Sequence, residues 1–156
     1  METLAPLARR EARLRFVTNH PTEFIDLTPQ LDRLVAESGV ETGILNVQSL
    51  HTTTAVVVNE NEPLLLDDFR DFLEQAAPRD FGYRHDDASI RTVNLTPAER
   101  PNGHSHCRAL LLPSSVCLNV AQGRPMLGTW QRVFLVELDG PREREISVML
   151  LGEYGR

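Results

Sequence analysis

The run Gly128-Thr-Trp-Gln-Arg-Val-Phe-Leu-Val-Glu-Leu138 constrains the fold more than any other part of the chain. Successive side chains of a strand face opposite ways. Thr129, Gln131, Val133, Leu135 and Glu137 therefore share one face, opposite Trp130, Arg132, Phe134, Val136 and Leu138. Gln131 and Glu137 lie among apolar residues, as at a pocket or subunit interface. Trp130 reads as a core aromatic and Asp139-Gly-Pro as a turn. A second run, Val56-Val57-Val58, is apolar on both faces, which predicts a central strand covered on both sides.

Other strands are expected over 13–18, 23–27, 42–48, 52–58, 104–112, 115–120 and 145–151. A helix should open at Thr28 as N-cap, with Pro29 in its first turn, and close at Ser38-Gly39. A second runs from about Pro63 to Ala77, capped by Asn61 and stopped by Pro78. Between them and the last strands, residues 79–103 form a long polar loop. The result is an α+β fold: one compact domain over 11–156 built on β-sheet with two main helices, after a loose tail over 1–10.

With 156 residues a single core suffices. A formal net charge of −6 argues against a nucleic-acid partner, since no basic face stands out. Every basic residue other than histidine is Arg, a side chain suited to bidentate contacts with carboxylate or phosphate. No segment has signal-peptide or membrane-span character, so no membrane partner and a cytoplasmic location are expected. Cys107 and Cys117 read as small core residues.

The chemistry concentrates in Asn102-Gly-His-Ser-His-Cys107. On a strand, His104 and His106 would face the same way and could share a first-row metal, with a third ligand from His51 or His85. His51-Thr-Thr-Thr followed by Asn59-Glu-Asn-Glu62 offers a histidine and a carboxylate for acid–base work, although Asn and Glu are also what a helix start prefers.

Together, "SLHTTTAVVVNENEP" (49–63), "YRHDD" (83–87), "RPNGHSHCRALLLPSS" (100–115) and "LGTWQRVFLVELDGPRERE" (127–145) resemble the YjbQ-like family, often labelled secondary thiamine-phosphate synthases. The resemblance implies a homotrimer with clefts between subunits. It also implies a divalent metal, zinc first and magnesium alongside a diphosphate substrate, held by His85, His104 and His106. His51 and Glu62 would be the catalytic groups. Asn61, Asn102, Ser114, Thr129 and Gln131 would contact a small-molecule substrate, with Arg84, Arg91 or Arg132 meeting its phosphates. The implied reaction joins an aminopyrimidine-methyl diphosphate to a thiazole phosphate. A metal-dependent hydrolase of a small phosphorylated or acyl substrate, or a non-catalytic ligand-binding trimer, fits the same residues. Pro113 stands where the family usually has Gly.

Overall fold

The computed structural model describes residues 7–155, which form eight strands and three α-helices. One antiparallel sheet runs in the order β1 (Ala8–Val17), β8 (Glu143–Tyr154), β3 (Val40–Ser49), β5 (Ser115–Ala121), β6 (Arg124–Pro125). A smaller one is ordered β2 (Glu23–Asp26), β7 (Gln131–Glu137), β4 (Thr54–Glu60). The helices are α1 (Thr28–Ser38), α2 (Pro63–Ala76) and α3 (Gly103–Leu111). None of the described helices is long and apolar enough to cross a membrane.

The alternation of β7 sorts two hydrophobic cores. Val133 and Leu135 join Leu45, Val47, Ile146, Val148 and Leu150 of the larger sheet and Leu31 and Val35 of α1. Phe134, Val136 and Leu138 face the other way, packing with Leu73 of α2 and Ala109 of α3. Val56 and Val57 likewise divide between the two cores. Both faces of β4 are thus covered, as expected, but β4 lies at an edge of its sheet and β7 is the central strand.

Several expectations change. Thr28 does not cap α1; its hydroxyl accepts from Val133 N–H (2.9 Å) and pins the helix to β7. Gly39 closes α1 in the left-handed conformation (φ 74°), as a C-terminal glycine does. At α2 the cap is Glu62, not Asn61: its carboxylate accepts from Leu64 N–H (3.0 Å) and Leu65 N–H (2.8 Å). The tail expected over 1–10 lies partly outside the described residues, and Ala8–Arg10 already pair with Gly152–Leu150 in β1. Trp130 is exposed (72%), as are Cys107 and Cys117. The largest departure is α3, a third helix where 104–112 reads as a strand. Its residues include no β-branched side chain, and its buried positions His104, Ser105 and Arg108 follow helical spacing. Buried Arg108 donates through Nε to Ala77 O (3.0 Å) and pairs with Glu74, joining α3 to the end of α2.

Glu137, fully buried, joins the two sheets at one end. Its Oε2 accepts from Arg144 Nε (2.6 Å) and Thr18 Oγ1 (3.0 Å). Its Oε1 accepts from Arg144 Nη2 (2.6 Å), Leu138 N–H (2.9 Å) and Asp139 N–H (2.7 Å). Arg144 Nη2 also reaches Thr53 Oγ1 (3.0 Å). Burial alone would raise the Glu137 pKa. The Arg144 bonds and charge, with Asp139 N–H and Thr18, outweigh it and hold the carboxyl below its ordinary 4.5.

Arg144→Met strands the carboxylate without its cation and should cost about 3–5 kcal/mol in urea unfolding. A depressed folded-state pKa gives stability that is complete above the unfolded value and lost as pH falls through the folded one. Thermal melting between pH 6 and pH 3 should therefore fall more steeply for the wild type than for Glu137→Gln. Parallel slopes would contradict the assignment.

Candidate functional site

Where β7 and β8 meet, the protein opens into a cleft of about 950 Å³ whose lining includes His51, His85, His106, Asn102, Asp139 and Arg142. His85 sits in a short 3-10 turn, Arg84–Asp86, within the long polar loop. Asp86 Oδ1 accepts from the N–H groups of Asn102 (2.8 Å) and Gly103 (2.9 Å), fastening this turn to the start of α3. Only glycine fits at 103, because a Cβ there would lie 2.4 Å from the Tyr83 Cβ. The close approach sets His85 beside His106, with ring centroids 4.5 Å apart.

Asp86 Oδ1 also lies 3.4 Å from His85 Nδ1. Arg91 Nη1 is at the same distance but already donates to His85 O (3.1 Å) and pairs with Glu99 (3.0 Å). Asp86 is thus the acceptor available to an N–H at Nδ1, an arrangement that leaves Nε2 to face the cleft. Arg91 braces the loop further through Val93 O (3.2 Å) and Asn94 O (2.8 Å).

On α3, His104 and His106 stand roughly 200° apart about the axis instead of side by side. His104 is buried beside Tyr83, where Ser105 Oγ donates to Leu138 O and accepts from His104 Nε2 (3.1 Å). Burial, then Arg108 and Arg79, lower its pKa. His106 faces the cleft, and burial followed by the neighbouring His85 lowers its pKa too.

His51 follows β3, and its Nε2 accepts from Glu145 N–H (2.9 Å). That bond requires a neutral ring with the proton on Nδ1. Burial, then Arg144, lower the His51 pKa in the same direction. The ring is thus a fixed N–H donor whose Nε2 is already engaged.

Three arginines line the cleft, and each has an acidic partner: Arg91 with Glu99, Arg144 with Glu137 and Arg142 with Asp139 (2.7 Å), which Arg100, outside the lining, also approaches (3.8 Å). Asp139, read from sequence as a turn residue, also accepts from Asn102 Nδ2 (3.0 Å). Sequence reasoning gave no role to Asp86, Asp139, Arg142 or Arg144. The available signal was a cluster of acids and arginines beside the histidine motifs.

The remaining expected residues lie elsewhere. Glu62 is committed to the α2 cap, and Asn61 Nδ2 donates to Asp26 Oδ2 (3.2 Å). Ser114 is exposed and uses its carbonyl to accept from Ser49 N–H (2.8 Å). Thr129 and Gln131 flank a separate hollow at the far end of β7, about 20 Å along the strand from Glu137. Among the described residues no three His, Cys, Asp or Glu side chains are grouped to hold a metal ion. The donors present are the His85–His106 pair, two imidazoles suited to a borderline metal with other positions open.

The fold and cleft define a class: an α+β protein of two antiparallel sheets with a histidine-lined hollow at one end. A family model described as "UPF0047 protein YjbQ-like" matches residues 12–153, so the chain belongs to the YjbQ-like UPF0047 family. A UPF0047 protein of Methanothermobacter thermautotrophicus is 41% identical over 136 residues, covering 87% of each chain. One from Archaeoglobus fulgidus is 38% identical, covering 88% of this chain and 98% of its own. The solved structure of a protein of unknown function from Sulfolobus solfataricus is similar with a TM-score of 0.84 and 32% identity, over 95% of this chain and 100% of that one.

Nitrogen-15 shifts of the imidazoles should identify His51 as the Nδ1–H tautomer at pH 7; an Nε2–H tautomer would refute the Glu145 bond. His104→Ala should cost about 1–3 kcal/mol of stability, as loss of a buried side chain does. His106→Ala should leave the melting temperature nearly unchanged.

Proposed function

We propose that the protein is a metal-dependent hydrolase of a small acyl or phosphorylated substrate bound in the histidine cleft. The observation that carries this reading is the His85–His106 pair in a cleft whose arginines are all already paired with carboxylates. A divalent ion, zinc first, would be held by His85 and His106 and would supply Lewis-acid polarisation of an oxygen atom. His104 is not among the proposed ligands because its ring faces Tyr83 and Ser105. His51 Nδ1–H is the donor for an oxygen that gains negative charge during the reaction, and its engaged Nε2 keeps it from acting as a base. Asp86 orients His85, while Asn102 and Asp139 fix the floor of the cleft.

The thiamine-phosphate synthase chemistry implied by the resemblance is a second reading. Departure of diphosphate needs cationic charge, and magnesium favours oxygen ligands over imidazole. The arginines lining this cleft are each already paired with a carboxylate, Asp139 being shared between Arg142 and Arg100. That reaction would require charge from another copy of the chain, and one observation favours such an assembly. Thr129 and Gln131 lie at the other end of β7, about 20 Å along the strand from Glu137, and line a different hollow, so an assembly of copies is what would bring them to the histidine cleft. Exposed Trp130 (72%), Phe72 (60%) and Leu110 (86%) are apolar anchors of the kind found at interfaces. We take the assembly to be a homotrimer with the cleft at its subunit boundary.

Zinc binding by calorimetry, with p-nitrophenyl acetate and p-nitrophenyl phosphate as probes, tests the hydrolase. His106→Ala should lose both the ion and turnover, while a folded His104→Ala should keep the ion. Turnover that survives His106→Ala would sink the proposal. Formation of thiamine phosphate and diphosphate from the two precursors, without hydrolysis of the pyrimidine diphosphate alone, would favour the synthase. Sedimentation equilibrium should return three times the chain mass, reduced by Trp130→Ala.

A further inference from the structure

At the opposite end of β7 lies a second hollow of about 590 Å³, within the size range of small-molecule sites. Arg33 of α1, Arg124 of β6 and Arg132 of β7 all line it, beside the Thr129 hydroxyl. Three arginines from three elements therefore line one hollow in a chain whose formal net charge is −6. Arg132 is partly neutralised, its Nε donating to Asp26 Oδ2 (2.8 Å). Its two terminal nitrogens have no protein partner among the described residues. Arg33 and Arg124 form no ion pair among those residues, and Asp32 is the single carboxylate in the lining.

The rim of the hollow is preset. Gln131 N–H donates to Gly128 O (3.0 Å), and Gln131 Oε1 accepts from Gly128 N–H (2.7 Å). These reciprocal bonds close the Gly128-Thr-Trp-Gln131 turn and hold Thr129 at the mouth. Asp26, which orients Arg132, is itself fixed by Thr28 N–H (2.9 Å) and Asn61 Nδ2 (3.2 Å). Thr129 and Gln131 thereby share a setting that the histidine cleft does not provide, and Asn61 supports it from outside through Asp26.

Arg33 and Arg124 have no ion-pair partner among the described residues and Arg132 has one, so the hollow keeps an excess of positive charge that an anion relieves. The planar fork of arginine matches phosphate oxygens, and a hydroxyl at the rim adds a donor. We infer that this hollow binds a phosphorylated small molecule, its phosphoryl group held by Arg33, Arg124 and the free edge of Arg132. Within one chain the hollow lies at the opposite end of β7 from the histidine cleft, and its anion assignment rests on its own arginines whichever reaction that cleft performs.

The probe is inorganic pyrophosphate, titrated by calorimetry into the metal-free full chain. One pyrophosphate should bind per chain. Arg33→Ala and Arg124→Ala, both remote from the cores, should each weaken it by roughly tenfold, the loss of one charge-assisted contact. Arg124→Lys should fall between, and His106→Ala should bind as the wild type does. Absence of stoichiometric binding overturns the inference, as does binding that needs His106 and ignores the arginines. If the arginine variants abolish self-association and pyrophosphate never binds, the occupant is an acidic segment of a second copy and the small-molecule assignment falls.

Discussion

The buried pair of Glu137 and Arg144 is the contact on which the cleft depends. Glu137 ends the central strand of the small sheet, and Arg144 lies near the start of β8 in the large one. Thr18 and Thr53, at the ends of two more segments, satisfy the remaining positions. A carboxylate in this place would be costly without a cation and several donors. With them, it fixes the direction in which the chain leaves β7. Asp139 follows from that, because its N–H is bound by Glu137, and Asn102 follows from Asp139. The histidine-bearing helix is thereby registered against both sheets.

Much of the frame was legible because it rests on periodicity. The alternation of 133–138 assigned the two faces of β7 correctly, and the helices at 28 and 63 began where their prolines placed them, although neither expected cap residue caps its helix. The α3 segment was misread because one polar pair at spacing two suits a strand as well as a helix turn. The missing β-branched residues were the better guide. Position within a sheet was not legible either. Apolar faces on Val56, Val57 and Val58 reveal what covers a strand but not what it pairs with, and β4 proved to be an edge.

The site shows a similar division. Proximity of His51, His85, His106 and Asn102 follows from motifs that lie far apart in sequence but meet at one cleft. The orientation of each ring does not, because it is set by tertiary donors such as Glu145 N–H and Asp86 Oδ1. The resemblance drew Glu62 toward catalysis, while its residue type also suited a helix start, where its carboxylate is engaged by backbone N–H groups. Residue type suggests a candidate; the partners already bound determine what chemistry remains free.

Native-state hydrogen exchange on Arg144→Met tests the central dependence most directly. The account predicts lost protection at Leu138, Asp139, Arg142 and Ser105, around the cleft, with Val133 and α1 at the other end of β7 still protected. Uniform loss across the chain, or unchanged protection at Asp139 and Ser105, would contradict it.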